Sequence, residues 1–334
     1  MLLNPSIMAL ILVSAVVSLM LLLSSAFSIK IVRHWDILSG SELQLQLERS
    51  TYLISTLLIF AFIAELISLL LFIYNAEAMS SQFVGAMCAT GVLNINAWGW
   101  PTLFLKIAIF FSGTIWLALN YLDNQGYDYP LIKLKYSLLL FITPLVIIEA
   151  AVQLRYFLAL DPDVITSCCG ALFTPESTGI AAEVSGLEPH TAMIALYGTG
   201  AAAILSGSWY HWKHSGGLLF SVSSVAAFVV ALAAIVSYVA LYIYEHPHHH
   251  CPFCLLKSGH DFSGYFLYIP LFIATALALA AGTTSHFHKI PSLKQAIERD
   301  ASRLSGLAIL AFFIFYLLST FYVLNSNLVM DGIW

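Results

Sequence analysis

Charge is what this sequence has least of. Of 334 residues, 13 are Lys or Arg and 18 are Asp or Glu, 9% in all, against about 25% in a soluble globular domain. That scarcity excludes a soluble fold with a solvated charged surface. With no basic patch, it also excludes nucleic acid as a partner. No G-x-x-x-x-G-K-[ST] run occurs, so any pumping would need an ATP-binding subunit from elsewhere. No C-x-x-C-H occurs, so covalent c-type haem attachment is not indicated. The first segment lacks a basic n-region and a clear small-x-small cleavage site, and reads as a retained first span.

In place of charge there is apolar length: 60% of residues are hydrophobic. Apolar runs at 7–29, 51–75, 101–121, 134–158, 190–208, 217–244, 263–284 and 304–325 each reach the roughly 20 residues that cross a bilayer as a helix. In lipid a lone segment satisfies its backbone only internally, so the runs are expected to be helices. The expected fold is an all-α polytopic bundle of about eight transmembrane helices, a single membrane domain over 1–334 in a lipid bilayer.

Orientation is read from the basic residues. Lys30, Arg33, Arg49, Lys133, Lys135, Lys213, Lys289, Lys294, Arg299 and Arg303 fall after odd-numbered spans; Lys106, Arg155 and Lys257 do not. The positive-inside rule puts those loops in the cytoplasm and both termini outside. All five cysteines then share the outer side: Cys88, the vicinal pair Cys168 and Cys169, and Cys251 with Cys254. Cysteines used as small core hydrophobes would scatter through spans and across both faces. One-sided placement points to a compartment where disulfides persist, the periplasm if the membrane is a bacterial inner membrane.

The segment HPHHHCPFCLLKSGH, 246–260, concentrates the chemistry. C-x-x-C spacing suits a small redox-active disulfide ring or two thiolates on one metal. If the segment starts a helix, Cys251 feels the positive end of its dipole and Pro252 suits its first turn. His248, His249, His250 and His260 could join Cys251 and Cys254 around Cu or Zn, or serve haem iron. Cys168 and Cys169 are adjacent, so each more naturally serves a different partner, or both hold one soft metal. Five cysteines are an odd number, leaving at least one thiol unpaired or in exchange. In MCATGVLNINAWGWP, 87–101, Cys88 precedes a turn-rich stretch, Trp98 and Trp100 sit where an aromatic belt belongs, and Pro101 opens the next helix.

Two of these segments together resemble the vitamin K epoxide reductase family of membrane thiol–disulfide oxidoreductases. CPFCLLK, 251–257, resembles its C-x-x-C at the outer start of a helix. Cys88 with the run ending in AWGWP resembles its loop cysteine. The resemblance implies that Cys251 and Cys254 are a quinone-proximal pair, Cys88 a shuttle cysteine, and a thioredoxin-like protein the periplasmic partner. The family's second loop cysteine has no counterpart in 80–87, SSQFVGAM, where Cys168 or Cys169 would substitute. Its core is a four-helix bundle, half the spans counted here.

Glu65, Lys106 and Glu149 lie inside expected spans, where a charge usually faces a partner or a cavity. With Trp98 they are candidates for a quinone site or a proton route; a structural ion pair is the plainer alternative. Function thus divides three ways: thiol redox between a periplasmic partner and a quinone, metal or haem handling through the same Cys/His layer, or a non-catalytic subunit among other membrane subunits.

Overall fold

The computed structural model describes residues 4–166 and 187–330. Cys168 and Cys169 therefore lie outside the described residues. No strand occurs among the described residues, and eight helices are long and apolar enough to cross a membrane. The long helices are α1 (Pro5–His34), α2 (Glu42–Met79), α4 (Gly99–Asp123), α5 (Ile132–Leu158), α6 (Pro189–Lys213), α7 (Gly217–Tyr244), α8 (Ser263–Ser285) and α9 (Lys294–Leu324). A short helix, α3 (Ala89–Leu93), lies between α2 and α4.

Every expected span falls on one of these helices, and most helices run further. α2 starts nine residues before the apolar run at 51 and α9 ten before the run at 304. Hydropathy marks only the apolar part, whereas the i→i−4 ladder continues wherever the backbone stays unbroken. Local signals set some ends. Asn4 caps α1 by accepting from the Ser6 amide at 3.1 Å, with Pro5 in the first turn.

The chain separates into two compact units. The first comprises Met1–Asn75, Ile95–Asp161 and Phe287–Ile297; the second comprises Ala76–Asn94, Pro162–His286 and Glu298–Trp334. In the first unit α1, α2, α4 and α5 share one apolar core that includes Leu21, Phe62, Trp116 and Leu139. Near its α4–α5 turn, Lys135 is buried and pairs with Asp123 at 2.7 Å. It also donates to Asn120 at 3.0 Å, and Asp123 accepts from the Leu131 amide at 2.7 Å. One basic residue counted in the loops thus belongs to a matched internal ion pair.

In the second unit α7 and α8 approach closely along small residues. A Cβ on Gly282 would stand 1.8 Å from Ser221 Oγ and 2.4 Å from the Gly217 carbonyl oxygen. The hydroxyl can rotate away but the carbonyl cannot. Gly282→Ala is expected to cost about 1–3 kcal/mol, the usual penalty of overpacking, read as a lowered melting temperature in detergent. α7 also carries a π-helical turn at Ile235–Val239, a rare interruption of the α-helical ladder.

Candidate thiol site

Three of the five cysteines meet in the second unit. Cys88 precedes α3, and Cys251 and Cys254 lie in the connection between α7 and α8. Their sulfurs all lie within 4.8 Å of one another. Cys88 Sγ and Cys251 Sγ, 163 residues apart in sequence, are 3.1 Å apart and unbonded. The cysteines are 0%, 1% and 8% exposed in the order Cys88, Cys251, Cys254.

Three connections hold the C-x-x-C turn from behind. His250 Nδ1 donates to the Val236 carbonyl in the π-helical turn of α7 at 3.0 Å. Tyr244 Oη donates to the Cys251 carbonyl at 2.5 Å, and Tyr268 Oη of α8 to the Pro252 carbonyl at 2.9 Å. Neither cysteine starts an α-helix: short 3-10 turns, Cys254–Leu256 and Ser258–His260, precede α8. The helix-dipole expectation for Cys251, and with it the first-turn role of Pro252, is therefore replaced by side-chain anchoring. Phenylalanine at Tyr268 removes one anchor and leaves the Pro252 carbonyl without its hydroxyl donor. Tyr268→Phe is expected to cost about 1–3 kcal/mol, read as a lower melting temperature, and to shift the thiol–disulfide midpoint of the Cys251–Cys254 pair.

The Cys88 side is held by charge. Glu77, in the last turn of α2, accepts from the Ala89 amide at 2.8 Å and pairs with Lys257 at 3.3 Å. Lys257 Nζ also donates to the Met87 carbonyl. The peptide neighbours on both sides of Cys88 are thus tied to a residue three positions beyond Cys254. Gly85, at φ +84°, lets this segment run under Thr166, whose carbonyl oxygen would stand 2.0 Å from a Cβ there. Thr166 Oγ1 donates to the Gly91 carbonyl at 2.9 Å, and its amide to the Val84 carbonyl at 3.0 Å. Lys257→Met is expected to loosen Cys88 and slow formation of a Cys88–Cys251 bond severalfold, measured by quenched-flow alkylation.

Cys251 is the centre of the group. The Cys254 and Cys88 thiols and the Thr90 hydroxyl, at 3.2 Å, aim donors at its sulfur and hold its pKa well below the ordinary thiol value against the effect of burial. Cys254 is pushed the other way, because its proton is shared with Cys251 and Cys88 and its sulfur is desolvated. One sulfur is thus a ready thiolate and its neighbour keeps the proton.

The histidines have other partners. His249 stacks on Tyr244 at 4.0 Å between ring centroids, and His260 meets the same ring edge-on at 4.5 Å. Burial lowers the pKa of His250 and of His260, which favours the neutral ring. The His248 amide donates to His246 Nδ1 at 3.2 Å, and the His248 side chain is exposed. Among the described residues, no His nitrogen or carboxylate joins the three sulfurs in a common ligand group. The metal set expected from His248, His249, His250, His260, Cys251 and Cys254 is thus not assembled as one cluster.

Glu65, Lys106, Glu149 and Trp98 belong to the first unit. Lys106 Nζ pairs with Glu149 at 2.8 Å. Trp98 instead meets Arg155, whose guanidinium carbon lies 5.5 Å from the ring centroid. Sequence reasoning missed Glu77, Thr90, Tyr244 and Tyr268. Of the residues that build the site beside the cysteines, His250 carried a signal as a member of the histidine run, and Lys257 as a basic residue standing apart from the cytoplasmic set and three positions after the C-x-x-C.

No family model, curated protein or solved structure matches this chain. The fold and the sulfur cluster define it as a polytopic α-helical membrane protein with a buried three-cysteine centre.

Proposed function

We propose that this chain is a membrane thiol–disulfide oxidoreductase working through Cys88, Cys251 and Cys254. The observation that carries the reading is the 3.1 Å approach of Cys88 to Cys251. Two sulfurs on one tetrahedral zinc sit about 3.8 Å apart, from Zn–S bonds of about 2.3 Å. A disulfide is about 2.05 Å. The observed spacing lies between the two, at a distance from which sulfur can attack sulfur.

From an oxidised Cys251–Cys254 disulfide, the Cys88 thiolate attacks Cys251 and releases Cys254, which takes a proton. A thiolate of the partner, in this reading a thioredoxin-like protein on the outer side, then attacks Cys88 and expels Cys251. Cys251 is the better leaving group because its thiolate is stabilised. The partner's second thiolate attacks its own mixed disulfide, releases Cys88 and leaves the partner oxidised. Cys251 and Cys254 now hold two electrons and pass them, with two protons, to a membrane quinone, which becomes hydroquinone as the disulfide reforms. In this reading the exchange takes place on the outer side, the periplasm if the membrane is a bacterial inner membrane, which the distribution of basic residues supports.

The same three sulfurs support a second reading, a soft-metal site. Three thiolates without imidazole suit Cu(I) better than four-coordinate zinc. Thiol counting under denaturing conditions, with and without reductant, and elemental analysis of the same anaerobically purified sample separate the two. The redox reading expects a reducible disulfide among Cys88, Cys251 and Cys254 and no bound metal. All thiols reduced, with about one Cu or Zn per chain, would overturn it in favour of the metal.

A further inference from the structure

The first unit holds a charge imbalance that the thiol chemistry does not use. Glu65 of α2, Lys106 of α4 and Glu149 of α5 are 3%, 2% and 0% exposed. Lys106 is committed: it pairs with Glu149 Oε1 at 2.8 Å and donates to Ser68 Oγ at 2.6 Å. Neither oxygen of Glu65 has a hydrogen-bond donor. The charged groups acting on Glu65 are Lys106 and Glu149. The Phe72 ring, 5.8 Å from Lys106 Nζ, offers no donor.

Two carboxyl groups thus share one ammonium inside the protein. A buried charge without its own partner costs several kcal/mol, and such a group takes up a proton instead. The Lys135–Asp123 pair shows the contrast: one acid, one base, and donors on both carboxylate oxygens. A purely structural ion pair in the first unit would need Glu149 and Lys106 and nothing else. Glu65 is the surplus group.

Polar side chains share its face of α2, with Phe72 interrupting them. Glu65, Ser68, Phe72 and Asn75 recur at three- and four-residue steps along one face of α2. Asn75 accepts from Ser6 Oγ at 2.6 Å, in the half-buried first turn of α1. One turn beyond Glu149 on α5, Gln153 donates to Ser14 Oγ of α1 at 2.7 Å. Both rows run from the charged cluster toward the same ends of α2 and α5, about 15 Å along α2 at 1.5 Å per residue.

We propose that Glu65, Lys106 and Glu149 form a proton-binding site, with the exchangeable proton resident on Glu65. Release converts the Glu65 carboxylic acid to carboxylate plus a proton to water, and takes the cluster from neutral to one negative charge. Lys106 holds that charge between the two acids. The inference is independent of the thiol reading, since it uses no cysteine.

Infrared difference spectroscopy on the full chain in lipid nanodiscs tests it. The wild type is expected to show the carbonyl stretch of an un-ionised carboxylic acid, shifting after transfer to D2O and disappearing as pH rises. The band is expected to be absent in Glu65→Gln. It is also expected to be lost in Glu149→Gln, where Lys106 is free to pair with Glu65, although Glu65 itself is untouched. Cys88→Ser should leave the band in place, which separates this site from the thiol centre. The proposal is overturned by the lack of any band specific to Glu65. It is equally overturned by a band unmoved in D2O, which marks a fixed structural proton, or by one that persists in Glu149→Gln. A band abolished by Na+ at constant pH would also sink it, by marking a metal-cation site.

Discussion

Serine in place of Cys251 is expected to stop disulfide exchange at the cluster, because both candidate bonds, Cys88–Cys251 and Cys251–Cys254, contain that sulfur. Turnover of a dithiol substrate should fall to the uncatalysed level. The two other substitutions should behave differently. Cys254→Ser leaves Cys88 and Cys251 3.1 Å apart and should accumulate their disulfide, seen as one missing thiol pair on non-reducing peptide mapping. Cys88→Ser should keep a Cys251–Cys254 disulfide that small dithiols reduce, while transfer to a protein partner is lost. Equal loss in all three variants, with no trapped species, would leave exchange without its central sulfur.

The same centre predicts a pH profile. An ordinary thiol, with a pKa of about 8.5, loses thiolate as pH falls through that value. Cys251 is held below it by the Cys254 and Cys88 thiols and by Thr90. Its thiolate is present above the lowered pKa and disappears only as pH falls through it. Exchange should therefore stay flat across neutrality and decline on the acid side. Thr90→Val removes one donor, so the acid limb should move to higher pH.

The second large effect belongs to the first unit. Lys106→Met leaves the buried Glu149 carboxylate without its cation and Ser68 without its donor. Breaking one partner of a buried pair costs about 3–5 kcal/mol. Lys106→Met is expected to lower the unfolding midpoint in detergent accordingly, and adding Glu149→Leu should recover much of the loss. Double-mutant stability measured against the two single variants checks it. Additive losses would mean that the 2.8 Å contact couples nothing.

Glu65 shows where one-dimensional reading stops. From the sequence it is one of three charges in expected spans, equal in rank to Lys106 and Glu149. Only the packing of α2, α4 and α5 shows that Lys106 serves Glu149 and leaves Glu65 without a donor. The histidine run teaches the same lesson in reverse. Its composition resembles a ligand set, yet His249 and His260 flank Tyr244 and His250 is tied to Val236. A side chain's role follows from the partner it meets, and for His250 that partner is the Val236 carbonyl, in a π-helical turn 14 residues earlier.

The sequence by itself determined the all-helical architecture and the eight spans, because helix formation in an apolar medium is local: each run must satisfy its own backbone. It also marked all five cysteines as candidates: Cys88, Cys251 and Cys254 form the cluster, and Cys168 and Cys169 fall outside the described residues. Tertiary structure alone decided that Cys88 meets Cys251, that Glu77 and Lys257 hold them together, and that, among the described residues, no histidine nitrogen joins the three sulfurs in one ligand group. Contacts across 163 residues depend on how whole helices pack, and no short window of residues carries that information.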